Sequence, residues 1–229
     1  FLLSTERSEV SYSDLALRFD SIQWQAVRPG VVSWADSGIE LEGVELTSNN
    51  GGRIAADGHL PAQGEADLRL DIQNLQIADV LGLLQDTVPV QGLVSIAADV
   101  RGNSAAPILD GTLAVRQLLV DTVAVPDLVG TFDYANQELV AEATASDETG
   151  TLLTATGRLP INLALTGVTG PRFAANAPLE LDVHADSLPL ESLPSFTTAV
   201  EDVKGRVVGD VRIRGTREDP QLSGVVDLD

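Results

Sequence analysis

The stretch ADLRLDIQ, residues 66–73, decides the fold class. Ala66, Leu68, Leu70 and Ile72 take one side of an extended chain; Asp67, Arg69, Asp71 and Gln73 take the other. Successive side chains of a strand point to opposite faces, so a period of two marks a strand with one dry and one wet face. The same beat recurs outward from there. It is carried by Val94, Ile96, Ala98 and Val100, by Leu179, Leu181, Val183 and Ala185, and by Val211 and Ile213. Near the start, Leu15, Leu17 and Phe19 alternate, followed by Ile22, Trp24 and Ala26. The turn clusters RPG, SNNGG, GNSAAP, ASDETG and VTGPR separate the runs. The expectation is a mainly β, antiparallel protein. Two short segments break the pattern. Ile77, Val80, Leu81 and Leu84 have the spacing of an amphipathic helix over about 77–85. Residues 190–200 hold the equivalent place as a helical or turn segment, with Pro194 barred from a helix interior.

A repeat organises the strands. GNSAAPILDGTL at 102–113 returns as GTREDPQLSGVV at 215–226. Residues 64–115 align with 177–228 without a gap, at an offset of 113, and 51–61 resemble 150–160 at an offset of 99. The 14-residue difference falls in INLALTGVTGPRFA. The predicted units are a partial first one over 1–91, a second over 92–204 and the start of a third over 205–229. Gly92, Gly102, Pro107 and Gly111, with Gly205, Gly215, Pro220 and Gly224, are read as the repeated turn residues. The period is too long for the coils of a small solenoid and fits a larger module repeated along one axis.

Composition narrows the function. With 34 acidic against 14 basic residues, the net charge of −20 opposes binding to nucleic acid. It equally opposes docking on anionic lipid. The chain lacks cysteine, so thiolate chemistry and disulfides are excluded. No apolar run approaches the roughly 18 residues needed for a membrane-spanning helix. With no methionine and Phe at position 1, the stretch reads as a piece of a longer protein. His59 and His184 sit at polar beats, outside any repeated site, and read as solvated. Asp147–Glu148 and Glu201–Asp202 lack the spacing of a calcium loop. No phosphate loop, zinc spacing or nucleophile elbow is present, so the expectation is no enzyme, no metal and no cofactor. Trp24 and Trp34 read as packing residues.

Two architectures fit the apolar beats. One is a closed β-sandwich. The other is an open, curved sheet whose trough is lined by Leu68, Leu70, Ile72, Val94, Ile96, Ala98, Val100, Leu179, Leu181, Val183, Val211 and Ile213. Small beats such as Ala98, Ala141, Ala143 and Ala185 suit either.

Gly92-Leu93-Val94 through Arg101-Gly102, followed by Pro107, Leu109 and Gly111, has a second copy in Gly205-Arg206-Val207 through Arg214-Gly215, Pro220, Leu222 and Gly224. This pattern, with the upstream glycine and Leu-Pro element, resembles the periplasmic repeats of the TamB/AsmA-like family over most of residues 39–229. The broken second helix departs from it. The resemblance implies a long, taco-shaped antiparallel sheet with a hydrophobic concave face. It implies a place in the periplasm of a diderm bacterium, with inner-membrane anchoring by parts outside this stretch. It also implies that phospholipid acyl chains move toward the outer membrane, and that a partner barrel of the translocation and assembly module type is supported in outer-membrane protein assembly. Strand templating of client proteins and a purely structural β module are the other readings.

Overall fold

The computed structural model describes residues 2–3, 7–19, 22–78, 90–120, 123–148, 150–174, 176–189, 205–216 and 218–228. Seventeen strands form one sheet. They are β1 (Leu2–Leu3), β2 (Ser8–Tyr12), β3 (Ala16–Phe19), β4 (Ile22–Ala26), β5 (Gly30–Ala35), β6 (Gly38–Ser48), β7 (Arg53–Pro61), β8 (Asp67–Gln76) and β9 (Val90–Asn103). There follow β10 (Ala106–Val120), β11 (Val123–Val125), β12 (Leu128–Ala135), β13 (Glu138–Asp147), β14 (Gly150–Pro160), β15 (Glu180–Pro189), β16 (Arg206–Gly215) and β17 (Pro220–Leu228). Every pairing is antiparallel. From β5 to β10, and again from β12 to β17, each strand pairs with the next. β12 joins the two runs by pairing with β10. β2, paired with β1, lies against β5. The β3–β4 hairpin leans on the end of β6, and β11 on the end of β10. Among the described residues the sheet does not close, and no second sheet packs on it. The open sheet is therefore the architecture, and the sandwich is not.

The strands meet in a register that keeps like with like. One row of directly opposed residues runs Val44, Ala56, Leu70, Ala98, Gly111, Phe132, Ala141, Gly157, Leu181, Ile213 and Leu222, from β6 to β17. The next runs Leu46, Ile54, Ile72, Ile96, Leu113, Gly130, Ala143, Ala155, Val183, Val211 and Gly224 over the same strands. A one-residue slip at any seam would turn a whole strand inside out, so this face fixes the register. Bulges keep the phase where the sequence breaks it. Pairing skips between Leu41 and Val44, between Ile72 and Leu75, and between Arg116 and Leu119. Each skip contains one left-handed residue: Gly43 (φ 62), Asn74 (φ 51) and Gln117 (φ 51). Its freed N–H goes to a side-chain oxygen of a neighbouring segment: Asp57 at 2.8 Å, Ser95 at 3.0 Å and Asp127 at 3.1 Å respectively. Such bulges bend and twist a sheet.

The repeat is present in three dimensions. β8 and β15 coincide at the offset of 113, and so do their bulges, at Ile72/Leu75 and Ala185/Leu188. Gly102 (φ 73), next to last in β9, and Gly215 (φ 101), last in β16, take the left-handed region and pair with Pro107 and Pro220. Repeated amide hydrogen bonds brace these corners, Ala66 to the Gly102 carbonyl at 2.6 Å and Leu179 to that of Gly215 at 2.8 Å. The correspondence also extends upstream of the aligned segments. Trp34 opposite Ile39 matches Tyr134 opposite Leu139, an offset of 100. Six strands, β5–β10, thus recur as β12–β17. Equivalent residues do not share a row, however: Leu68, Val100 and Leu109 lie one row away from their counterparts Leu181, Ile213 and Leu222.

The structure corrects several expectations. Gly111 and Gly224 are not turn residues; they lie inside β10 and β17. A Cβ there would fall 2.1 Å from the Ala97 carbonyl oxygen, or 2.2 Å from that of Asp210. They are glycine because the neighbouring backbone approaches closely. Gly92 likewise lies within β9. Of the helix over 77–85, only Ile77 and Ala78 are described, and both are helical; the remainder, and all of 190–200, lie outside the described residues. The unit boundary at 91/92 falls inside β9 and that at 204/205 just before β16.

Candidate functional site

All twelve residues predicted to line a trough lie on the apolar face. Leu70, Ala98, Leu181 and Ile213 share one row; Ile72, Ile96, Val183 and Val211 share the next. Leu68 pairs with Val100 in a flanking row, and Val94 pairs with Leu75 and Val115 in the row beyond Ile96. Leu179 stands two residues before Leu181 on the same side. The face holds two buried clusters. One is Ala56, Leu60, Ala66, Leu68 and Val100; the other is Ala145, Leu152, Leu153, Ala185, Leu188 and Val207.

The opposite face is charged. Arg53 bridges Glu45 and Asp71, Arg101 meets Asp110, and Arg214 grips Asp182 with two contacts of 2.8 Å. Its hydrogen bond to Glu45 leads the effects that hold the Arg53 guanidinium charged. His184 stands between Asp210 (2.9 Å) and Asp186 (3.1 Å). Its pKa is raised, mainly by the hydrogen bond to Asp210. His59 and His184 are both exposed, on this outer face. The pleat thus turns these acids and bases away from the two apolar rows, onto a face they share with exposed aliphatics such as Ile108, Val140 and Val225.

The sequence reading missed a strap. Residues 161–174, the extra segment of the second copy, fold back from β14 over the apolar face. The Leu163 amide donates to the Tyr134 hydroxyl at 2.9 Å, and Tyr134 is almost fully buried. The amides of Leu165 and Thr166 donate to the Ser104 carbonyl at 2.8 and 3.2 Å. The Ser104 and Thr166 hydroxyls meet at 2.9 Å. Arg172 ties the strap to itself through the carbonyls of Asn162 and Ala164. Between strap and sheet lies a pocket of about 370 Å³, lined by Ile39, Leu41, Leu60, Leu68, Leu70, Val100, Pro107, Leu109, Leu163 and Leu165. Ile39 and Pro107 belong to strands four positions apart, about 19 Å along a flat sheet. Both line this one pocket, so the sheet curls toward the strap. The signal in the sequence was the alternation of Leu163 and Leu165 inside the extra segment.

Toward the other end the face lies open. Leu222, Val226 and Leu228 of β17 are 73%, 51% and 69% exposed. Among the described residues no group of three or more His, Cys, Asp or Glu side chains is placed to hold a metal ion. No helix among them is long and apolar enough to cross a membrane. In comparisons with known proteins, no family model, characterised protein or solved structure matches this chain.

Proposed function

We propose that this chain carries the hydrocarbon tails of phospholipids on its apolar face, as a segment of an envelope-spanning periplasmic bridge of the TamB/AsmA-like type. The observation that carries the reading is the pair of apolar rows across β6–β17, on which, among the described residues, no second sheet packs and which the strap covers only in part. Each CH₂ withdrawn from water gains about 0.8 kcal/mol. Rows of Leu, Ile, Val and Ala offer tails many sites of similar depth, while headgroups remain in solvent. Movement is diffusion between such sites, and no side chain performs chemistry. The motif resemblance supplies the setting: periplasm, anchors outside this stretch, and an outer-membrane barrel as partner.

Native mass spectrometry of the purified chain, with lipid extraction alongside, tests this. The expected result is co-purifying phospholipid that is lost in Ile96→Asp while circular dichroism stays β-rich. Ile96 is only half-buried and lies outside the strap pocket, so the fold tolerates the charge there. A lipid-free mass for the parent protein overturns the reading.

A second reading, strand templating of client proteins, is favoured by β17. It copies β10, whose far edge is occupied by β12. Among the described residues the matching edge of β17 is unpaired, which is the geometry that accepts an added strand. A synthetic peptide of residues 127–136, the β12 segment, is expected to bind there under this reading. Ser223→Pro and Val225→Pro should abolish its binding.

A further inference from the structure

We propose that the pocket beneath the strap is a seat for the end of one unbranched hydrocarbon chain, with residues 161–174 as its door. The ligand class rests on the groove reading above. The seat and the door rest on the geometry of this site.

The walls admit nothing polar. Every lining side chain is aliphatic or proline, so a headgroup would lose its hydration without a partner. The volume of about 370 Å³ lies at the small end of ligand pockets, which suits one tail rather than a two-tailed lipid. The pocket is also deep where the open face is shallow. Leu60, Leu68 and Val100 at its floor are buried, whereas Leu222 on the far strand is largely exposed. A tail seated here loses more contact with water than one lying on β17.

The strap is separable from the sheet. The first copy joins its equivalent strands, β7 and β8, through residues 62–66 alone, yet the register beneath is the same in both copies. The sheet therefore does not need the extra residues. Their hold on the sheet is the set of hydrogen bonds to Tyr134, Ser104 and, at the strap's root, the Gln137 carbonyl, with Ile161 and Ala164 buried. These hydrogen bonds can be exchanged for water, so the strap can lift without breaking a strand pairing. Leu163 and Leu165 then swing away with it and uncover the pocket.

Three forms of the 229-residue chain test this. The first is the parent. In the second, residues 161–178 are replaced by Ala-Gln-Gly-Glu, the first copy's own residues 62–65. The third is Ser104→Cys/Thr166→Cys. The hydroxyls at those positions are 2.9 Å apart, and the chain has no other cysteine to compete for a disulfide. The probe is a long-chain conjugated-tetraene fatty acid, fluorescent only out of water, with release followed by stopped flow. The parent is expected to hold one slowly released equivalent, and the short-connection form to lose that equivalent while keeping fast, weak binding on the open face. Oxidation of the double-cysteine form of the loaded protein should slow release at least about tenfold, and reductant should restore it. A slow equivalent that survives in the short-connection form, or a release rate indifferent to the disulfide, overturns the seat and its door and leaves the groove reading standing. If neither parent nor short-connection form binds the probe at all, the groove reading falls, and this inference with it.

Discussion

β8–β10 and β15–β17 are two copies of one pattern in two settings. The pairings Leu68–Val100–Leu109 and Leu181–Ile213–Leu222 are equivalent residue for residue. Yet Val100 is buried where its copy Ile213 is half-buried, and Leu109 is half-buried where its copy Leu222 is 73% exposed. The local sequence therefore sets strand, phase and register. Burial is set by what lies beyond the repeat: β12 beside β10, the strap above, and neither described at β17. Stability should be distributed in the same lopsided way.

The sharpest way to break this comparison is to charge both ends. Leu68→Asp buries an unpaired carboxylate beneath the strap and should cost about 4 kcal/mol or more. Leu222→Asp should stay within about 0.5 kcal/mol. Urea denaturation of the two variants checks this, and equal losses would show the two settings to be alike. Truncation is gentler. Leu60→Ala should cost about 2–5 kcal/mol, and Leu228→Ala under about 0.5 kcal/mol, by the same measurement.

The paired glycines refine the contrast. A Cβ at Gly111 or Gly224 meets a neighbouring carbonyl at nearly the same distance, 2.1 and 2.2 Å. β10 is held between β9 and β12, whereas among the described residues β17 is paired with β16 on one side and can shift. Gly111→Ala should therefore cost about 1–3 kcal/mol, and Gly224→Ala less than half of that, read as thermal midpoints on the two variants.

The smallest effect is on the charged face. Position 71 in the first copy is an Asp held by Arg53; its counterpart is His184, held by Asp210 and Asp186. The folded-state pKa of His184 is raised above its ordinary value of 6.5. Its stabilisation is thus complete below that value and fades as pH rises through the folded pKa. The melting temperature should fall slightly across that window, and His184→Gln should remove that part of the slope. A proton NMR titration of His184 with an unshifted midpoint would contradict it.

Much of this was legible in the residues. Alternation at 66–73 and 179–186 gave the strands and the face, and the offset of 113 reproduced even the bulge positions. The earlier part of the repeat is not legible in the sequence, because GVVSWADSGIELEG and GTFDYANQELVAEA share little beyond a glycine, an aromatic, an alanine and a glutamate. Gly111 passed for a turn residue because a close backbone approach and a left-handed turn both demand glycine, and sequence does not distinguish them. The strap is legible in the sequence as extra length, but its target is not. Leu163 lies 29 residues from Tyr134, and Thr166 lies 62 from Ser104. No periodicity spans those distances; only the curl of the sheet brings them together.

The one-row displacement between equivalent residues has a geometric consequence. Six strands advance the sheet by about 29 Å, while one row is two residues, or about 7 Å along a strand. Successive copies are therefore related by a screw inclined at about 13° to the rows, rather than by a straight step. A molecule passing from one side chain to its exact counterpart in the next copy does not travel straight down the gutter. It is led obliquely toward one rim.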